Sequence, residues 1–371
     1  MKLKNIIIFF PSMERGGVGI NLYNLVNYFN YKKINTHLIS NKNFIKKEIK
    51  NDYFFLNKYK DFVTKFIPQR YTRALFAAKI LYQILKKSNK EDTVVFSLQS
   101  SMIAILVCKF LGFKIISRNS EDPISSTIYS DNKFLSIFIF LLRFLFYNFS
   151  DGVLTNSKGS KKSLELFMIN KSKVKHIYNP YLSEIKKINK KNKKDNLFLS
   201  IGRLTKQKNF RILIYTFSKF IKSYPSYKLI IVGDGDQKSE LVNLISKLNL
   251  NKNVKIIAWV KDTEKFFIKS KVFILSSLYE GLGNVLIDAI NNEVPCISTD
   301  CKSGPSEILL NGEGGYLVPV NDSEALLKKM IFLVENYQIS IKQTIYAKKF
   351  LNRFSQKKCC PDYLNYLSSF L

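Results

Sequence analysis

Short apolar runs alternate with helical patterns along most of the chain, and this alternation limits the possible folds more than any other feature. Strands buried on both faces of a parallel sheet have such runs, and a helix is their usual crossover. The alternation therefore predicts an α/β fold with parallel sheets. In the first half, the runs that predict strands are Asn5–Phe10, Asn35–Ser40, Thr93–Leu98, Phe113–Ser117 and Gly152–Thr155.

The length of the chain predicts two domains, because 371 residues exceed the usual size of one. The pattern stops near Asn179-Pro180, and a Lys/Asn-rich stretch, Ser183–Asn196, has the composition of a linker. We therefore expect one domain at residues 1–182 and another at 183–353. The second series of predicted strands is Leu197–Ile201, Lys228–Val232, Val254–Ile257, Val272–Leu275 and Pro295–Ser298.

The net charge of +31 predicts attraction to an anionic membrane surface, phosphorylated substrates or nucleic acid. A purely compositional origin stays open, because Lys, Asn, Ile, Tyr and Phe are all heavily used. Nucleic acid is not an expected partner, since the sequence has no zinc finger, aromatic RNA-binding signature or basic zipper. The five cysteines lack metal-ligand spacing and the density of a disulfide scaffold, which favours a reducing cytosol. The apolar run Ile6–Phe10 is too short for a signal peptide, so we expect a soluble or peripheral protein.

The segment Phe134–Phe149 is apolar on nearly every side and is interrupted only by Arg143. It is shorter than the roughly 20 residues that a spanning helix needs. Two interpretations remain: a helix buried against the first sheet, or an interfacial element that enters lipid beside basic flanks.

Three glycine-containing turns follow predicted strands. Gly16-Gly17 lies between the first strand and a helix, where it forms either an anion-binding turn or simply a tight one. In the second domain, Gly202-Arg203 is followed by Lys208, and this pair of cations could clamp a diphosphate. In a chain this basic, either cation could instead be a solvated surface charge.

The third turn runs from Ser276 to Ala289 and is the most specific signal in the chain. Glu280 lies on the turn, and Asp288 lies about one turn inside the following helix. The backbone N–H groups of Gly281, Leu282, Gly283 and Asn284 are expected to face a bound phosphate. The alternative is that both acids merely complement the N-terminus of the helix.

These motifs resemble those of family-four retaining glycosyltransferases of the GT-B fold, and the resemblance covers nearly all of the chain. The implied fold has two Rossmann-like domains whose parallel sheets face a central cleft. The matching positions are Gly16, Gly17, Gly202, Arg203, Lys208, Gly233, Glu280 and Asp288. The stretch Asp300–Leu309 resembles members that transfer N-acetylhexosamines in surface-polysaccharide synthesis.

The resemblance also implies roles for individual residues. Arg203 and Lys208 would hold the donor diphosphate, Glu280 would lie beside the donor sugar, and Asp288 would bind the ribose. Val260 matches a position whose backbone lines the nucleobase. The second domain would then bind the nucleotide and the first the acceptor, with a closing helix at about 354–371 packed on the first domain.

Two positions depart from the family pattern. Asp288 is one methylene shorter than the usual glutamate, and the turn Ser117–Pro123 contains no histidine near the donor sugar. Arg118 is the expected replacement at that turn. The only histidines, His37 and His176, lie in predicted strands and are expected to be structural.

The sequence Asp234-Gly235-Asp236 has the form of a metal-binding Asp-x-Asp motif, but it follows a strand where GT-B members have a glycine turn. We therefore expect no metal and no cofactor, because Arg203, Lys208 and a helix N-terminus would stabilise the leaving diphosphate.

The function implied is that of a retaining, metal-independent hexosyltransferase. It would move a sugar, best matched by an N-acetylhexosamine from a UDP donor, to a lipid-linked oligosaccharide for O-antigen or capsule synthesis. Retention would proceed by front-side attack, and the enzyme would act at the inner face of a bacterial cytoplasmic membrane. A GT-B sugar-nucleotide epimerase and a non-catalytic donor-binding scaffold remain as alternatives.

Overall fold

The computed structural model describes residues 2–12, 17–40, 51–54, 69–99, 101–187 and 194–371. The chain divides into two units. The first comprises Met1–Pro123, Ser130–Ser183 and Arg353–Leu371, and the second comprises Ile124–Tyr129 and Glu184–Asn352.

Each unit has one sheet in which all described strand pairs are parallel. Within the described residues, the first sheet has the order β3-β2-β1-β4-β5-β6-β7 and the second the order β10-β9-β8-β11-β12-β13. The strands are β1 (Asn5–Phe10), β2 (Asn35–Ser40), β3 (Asn51–Phe54), β4 (Thr93–Ser97), β5 (Lys114–Asn119), β6 (Gly152–Thr155), β7 (Val174–His176), β8 (Leu197–Ile201), β9 (Lys228–Val232), β10 (Val254–Ile257), β11 (Val272–Leu275), β12 (Cys296–Thr299) and β13 (Tyr316–Val318).

Helices connect the strands, as parallel pairing requires. They are α1 (Gly17–Tyr31), α2 (Gln69–Leu85), α3 (Ser101–Leu111), α4 (Pro123–Ile128), α5 (Lys133–Phe149), α6 (Lys158–Glu165), α7 (Phe210–Phe220), α8 (Lys238–Lys247), α9 (Glu264–Lys269), α10 (Asn284–Asn291), α11 (Pro305–Ile308), α12 (Ser323–Glu335), α13 (Tyr337–Lys348) and α14 (Gln356–Ser368). The prediction of an α/β fold with two parallel sheets is confirmed.

The first sheet is buried on both faces, because successive side chains of a strand point to opposite sides. Ile6 and Ile8 of β1 pack in one core with residues of α1 and α14, and Ile7 and Phe9 pack in the other with residues of α2 and α3. Tyr363 in α14 is fully buried in the first of these cores. The C-terminal helix therefore belongs to the first unit.

The second sheet has a large aromatic core on one face. Phe198 of β8 packs there against Phe217 and Phe220 of α7, and Leu326 and Met330 of α12 complete the same cluster. This core anchors β8 and α7, and the loop between them carries the predicted cations.

The helix α5 contradicts the interpretation that Phe134–Phe149 is buried against the first sheet. Only Phe144 and Tyr147 are buried, whereas Phe134 is 87% exposed and Leu141 60% exposed. Hydrophobicity around the whole helix predicted burial on every side, but only one side of α5 packs against the protein.

His37 and His176 lie in β2 and β7, as predicted. All five cysteines are buried and unbridged. No helix among the described residues combines the length and the apolar character needed to cross a bilayer.

Candidate active site

The strand order of the second sheet reverses between β8 and β11. β9 and β10 follow on one side of β8, and β12 and β13 follow on the other side of β11. In open parallel sheets, ligands bind outside the carboxyl ends of the strands at such a switch point. Gly202, Arg203 and Lys208 follow β8, and Glu280 follows β11, so the chain brings these predicted residues to that position.

Lys208 and Glu280 form an ion pair between the two loops at the switch point. Both side chains are largely buried, at 14% and 8% exposed. The Ser277 hydroxyl donates to the same carboxylate oxygen, Oε1, at 2.7 Å. Lysine has three N–H donors, and the pair with Glu280 uses one of them, so the other two can contact a second anion.

Three further hydrogen bonds hold the loops after β8 and β11 together. The Leu278 N–H donates to the Gln207 carbonyl at 2.8 Å, and the Gln207 side-chain amide donates to the Tyr279 carbonyl at 3.0 Å. The Ser276 hydroxyl donates to the Lys208 carbonyl at 2.9 Å. The Lys208–Glu280 pair therefore lies on a backbone that is fixed from both sides.

The loop after β12 packs against the Glu280 turn and bonds to its backbone. The Ser303 hydroxyl donates to the Glu280 carbonyl at 2.7 Å. Gly304 has a φ of +91°, and a Cβ built there would collide with the backbone of Leu282, so only glycine fits. Sequence reasoning did not assign Ser277 or Ser303 to the site. Their only signal is that each small hydroxyl residue lies just beyond the end of a strand.

The buried thiol of Cys301 lies close to this pair. Burial, together with the nearby Glu280 carboxylate, raises its pKa to about 12. The thiol is therefore protonated at neutral pH, and it donates to the Ser277 carbonyl at 3.2 Å.

Gly233 lets the turn after β9 approach the turn after β8. A Cβ at this position would overlap the carbonyl oxygen of Gly202. The Gly202 N–H donates to the Val232 carbonyl at 3.0 Å. The role of Gly233 in the described structure is thus close backbone packing, which places Arg203 at the rim of the site with an exposed side chain.

Asp234, the first acid of the Asp-x-Asp sequence, is held by its own neighbours. The Trp259 N–H donates to its Oδ2 at 2.9 Å, and Lys238 Nζ lies 3.2 Å from its Oδ1. These two contacts, the first of them the larger, lower the pKa of Asp234. The Trp259 contact also attaches the turn after β9 to the loop after β10, where Val260 is half-buried. Within the described ranges, no three His, Cys, Asp or Glu residues are grouped so as to hold a metal ion.

The helix α10 begins directly after the Glu280 turn. Gly283 is its N-cap with a φ of +85°, and Asn284 is its first residue. The N-terminus of an α-helix directs its first backbone N–H groups outward and favours anions. Asp288 is half-buried one turn further along. Gly281 and Leu282 are buried, so they can contact a ligand mainly through their backbone.

The residues predicted in the first unit lie at the carboxyl edge of its own sheet. Gly17 is the first residue of α1, and Gly16 lies outside the described residues. Arg118, near the end of β5, is only 3% exposed. Its Nη2 donates to Asn179 Oδ1, and its Nε and Nη1 have no hydrogen-bond partner among the described residues. A direct contact between Arg118 and the sugar stays a prediction.

Comparison with known proteins identifies the family. The family model of the glycosyl transferases group 1 matches residues 183–350. An uncharacterized glycosyltransferase of Methanocaldococcus jannaschii is 37% identical over 262 residues, which is 63% of each chain. An N-acetylgalactosamine-N,N'-diacetylbacillosaminyl-diphospho-undecaprenol 4-alpha-N-acetylgalactosaminyltransferase of Campylobacter jejuni is 30% identical over 292 residues, covering 77% of this chain and 79% of that one. The chain belongs to the glycosyl transferases group 1 family.

Solved structures of glycosyltransferases share the fold. The crystal structure of Anabaena HepE in complex with UDP and glucose matches with a TM-score of 0.79 at 16% identity, covering 99% of this chain and 100% of that one. The GT-B fold predicted from the sequence motifs is thereby confirmed, as is the family resemblance.

For a glycosyltransferase, the second unit offers a suitable arrangement of charges. Two cations, Arg203 and Lys208, and the N-terminus of α10 follow strands at the carboxyl edge of one sheet, and Lys208 holds the Glu280 carboxylate there. Such an arrangement can bind a diphosphate and stabilise the charge that develops on it as a glycosidic bond breaks.

Proposed function

We propose that the chain is a retaining, metal-independent glycosyltransferase that moves an N-acetylhexosamine from a UDP donor to a lipid-linked oligosaccharide in surface-polysaccharide synthesis. The observation that carries this proposal is the buried Lys208–Glu280 pair at the switch point of the second sheet. At a sugar–phosphate bond, the cation can stabilise charge on the phosphate, and the carboxylate beside it can accept a hydrogen bond from the sugar.

The comparisons support the choice of donor and acceptor. The Campylobacter jejuni relative transfers N-acetylgalactosamine to a diphospho-undecaprenol-linked acceptor, according to its name. The Anabaena structure contains UDP and glucose. We assign the donor to the second unit and the acceptor to the first, and we place the enzyme at the cytoplasmic face of an anionic membrane.

The proposed reaction requires one bond to break and one to form at the anomeric carbon. The bond from the sugar C1 to the β-phosphate oxygen breaks, and the acceptor hydroxyl oxygen bonds to C1 from the same face. The hydroxyl proton passes to the departing phosphate oxygen. Lys208 and Arg203 stabilise the negative charge on that phosphate, since charge-assisted hydrogen bonds are the strongest available to a protein.

The other residues bind and orient the donor. Both described hydrogen bonds to the Glu280 carboxylate reach Oε1, which leaves Oε2 to accept from the donor sugar. Asp288 accepts from the ribose, the backbone beside Val260 lines the base, and the N–H groups at Gly283 and Asn284 bind the phosphates. These roles extend the sequence-based predictions, and each can be tested by mutating one residue at a time.

The proposal is tested by a screen of radiolabelled nucleotide sugars with the purified enzyme and bacterial membrane extract as acceptor. The expected result is transfer of label from one UDP-N-acetylhexosamine into the lipid fraction, with the α-configuration retained in the product. Isomerisation of the donor without any acceptor would indicate an epimerase instead. Donor binding without hydrolysis or transfer would indicate a scaffold.

Transfer should continue in the presence of EDTA. Asp234 is occupied by Trp259 and Lys238, and the cations Arg203 and Lys208 take the place of a metal at the diphosphate. Initial rates with EDTA, and after addition of Mg²⁺ or Mn²⁺, should agree within about twofold, since no metal contact is lost. Loss of activity in EDTA that Mn²⁺ restores would contradict metal independence.

A further inference from the structure

The outer face of α5 is an extended apolar surface that the proposed active site does not use. Phe140, Phe144 and Tyr147 belong to or pack against the core of the first unit. The exposed large apolar side chains of the same helix are Phe134, Leu135, Ile137, Phe138, Leu141, Leu145 and Phe149. They recur at helical spacing, so α5 has one packed side and one apolar side in solvent.

Neighbouring elements extend this surface. Leu106 and Phe110 of α3, which packs beside α5, are 57% and 80% exposed. Phe167 packs edge-to-face against Phe140 of α5, with ring centroids 5.0 Å apart, and Ile169 is 90% exposed. We call the exposed apolar residues of α3, α5 and Leu166–Ile169 the apolar patch. Soluble monomers rarely expose a contiguous patch above a few hundred Å² unless it binds something.

The chain segments that form the apolar patch carry cations only, and three carboxylates, Asp131, Asp151 and Glu165, flank them in sequence. The helices α3 and α5 and the stretch Leu166–Lys175 contain six cations and no carboxylate. The cations are Lys109, Lys133, Arg143, Lys171, Lys173 and Lys175. One of them, Lys109, forms an ion pair with Asp151 at 2.8 Å. Another, Lys173, donates to the Asn148 and Ser150 carbonyls. An excess of cations beside apolar and aromatic side chains complements the surface of an anionic bilayer.

The geometry of α5 fits a helix lying in the membrane interface. At 1.5 Å per residue its 17 residues extend over about 26 Å, which is less than the roughly 30 Å of a hydrocarbon core. Its inner side carries the buried Phe144 and Tyr147, which pack in the core of the first unit. Only the outer side is available, so the helix can enter the headgroup region without leaving the protein.

We infer that the apolar patch is the membrane-docking surface of this enzyme, and that its partner is an anionic phospholipid bilayer. Phe134, Phe138 and Leu141 enter the acyl boundary, and the surrounding lysines contact the headgroups. This inference rests on the proposed function for one point, the location of the acceptor in a membrane. Binding to lipid itself does not depend on that function.

Vesicle flotation tests the inference with two matched variants of the full chain. The first is Phe134→Ser/Phe138→Ser/Leu141→Ser in the apolar patch. The control, Val242→Ser/Ile339→Ser/Phe350→Ser, changes three exposed apolar side chains of the second unit that are 42–53% exposed. Vesicles of phosphatidylcholine with phosphatidylglycerol, and vesicles of phosphatidylcholine alone, are the probes.

We expect wild type and the control to bind the anionic vesicles equally, and the patch variant to bind at least about tenfold more weakly. Partial burial of three large apolar side chains in lipid contributes more binding free energy than the 1.4 kcal/mol that corresponds to a tenfold change in affinity. High salt should weaken binding of the wild type without abolishing it, because salt screens only the lysine contribution. Brominated lipids should quench the tryptophan fluorescence of the Phe138→Trp variant and not that of the Ile339→Trp variant. Both variants are made in a Trp259→Phe background, so each contains a single tryptophan.

Two results would overturn the inference. One is equal vesicle binding by the patch variant and the control variant. The other is concentration-dependent dimerisation of the wild type that the patch variant abolishes while vesicle binding persists, since the patch would then bind a second copy. Sugar transfer is measured separately, with detergent-solubilised membrane extract as acceptor so that docking is not required. If transfer is absent in wild type while vesicle binding follows the expectation, the proposed function fails and the docking surface stands.

Discussion

Replacing Lys208 by methionine should lower kcat for sugar transfer by about 10²–10³-fold, the effect of removing one preorganised donor that stabilises developing charge. Methionine keeps most of the length of the side chain but has no charge and no N–H donor. The lysine lies at the switch point with its ammonium fixed by Glu280, so its contribution should be larger in the transition state than in the ground state. The donor KM should change less than kcat, and steady-state kinetics with the identified donor measures both.

The variant Lys238→Met is the matched control. Lys238 belongs to the same unit and also pairs with a carboxylate, that of Asp234, but both side chains are about half exposed. Surface ion pairs of this kind contribute little to the free energy of unfolding, and Lys238 has no proposed contact with the donor. Activity should therefore stay within about twofold of wild type. A rate for Lys208→Met within tenfold of wild type would exclude Lys208 as the main stabiliser of the leaving group.

A second comparison separates catalysis from folding. Lys208→Met leaves the buried Glu280 carboxylate without its cation, and breaking a buried ion pair in this way destabilises a protein by about 3–5 kcal/mol. The double variant Lys208→Met/Glu280→Gln removes that uncompensated charge. It should regain most of the free energy of unfolding, measured by urea denaturation, and none of the activity. Recovery of activity with stability would assign the pair a purely structural role.

The strands that form the sheets could be predicted well where they are apolar and buried. The predicted bounds of Asn35–Ser40, Leu197–Ile201 and Lys228–Val232 match β2, β8 and β9. The prediction for β5 ended at Ser117, whereas the strand continues to Asn119. The polar character of Arg118 and Asn119 indicated a turn, but their side chains are buried and bond to Asn179 and to the Glu121 carbonyl. Local sequence cannot show that Arg118 has a partner 61 positions away.

The edges of the sheets were less predictable than their centres. The edge strands β3 (Asn51–Phe54) and β13 (Tyr316–Val318) were not predicted, because β3 begins with two polar residues and β13 has only three residues. The opposite error occurred at α5. Its hydrophobicity indicated burial, although nothing in a sequence states whether protein, lipid or solvent covers the second side of a helix.

The candidate site shows the same division. Strand-turn-helix patterns placed Lys208 and Glu280 near sheet edges, but the sequence alone could not show that they form an ion pair across 72 positions. That contact depends on β8 and β11 being neighbours, which is a property of the strand order. Ser277 and Ser303 became recognisable only once the loops around Glu280 were in place, since a serine beyond a strand has no distinctive spacing.

The close packing of glycine turns explains why these loops can act together. Gly233 and Gly304 each allow one loop to touch the backbone of another, Gly202 in the first case and Leu282 in the second. The loops after β8, β9, β11 and β12 thereby form one continuous backbone surface. Preorganised groups on such a surface need little rearrangement when charge develops, which is the physical basis of electrostatic catalysis.

The two acids at this surface should differ in their kinetic effects. We expect Glu280→Gln mainly to lower kcat, because the carboxylate is fixed by Lys208 and Ser277 beside the proposed position of the donor sugar. An interaction made only in the transition state affects kcat. Asp288, one turn inside α10, would bind ribose in ground and transition states alike, so Asp288→Asn should mainly raise the donor KM. A charged hydrogen bond contributes roughly 1.5–3 kcal/mol, which corresponds to about 10- to 150-fold.

The substitution Asp288→Glu tests the position more sharply than removal of the charge. It restores the longer side chain that the family pattern has, on a residue that is half-buried and already near the first turn of α10. If Asp288 contacts ribose, the glutamate variant should bind UDP at least as tightly as wild type in calorimetry, while Asp288→Asn binds more weakly. If Glu280→Gln and Asp288→Asn both transfer sugar within about twofold of wild type, the acids only complement the N-terminus of α10, which alone is worth about 0.3–1 kcal/mol. The catalytic groups would then have to lie elsewhere on the second sheet.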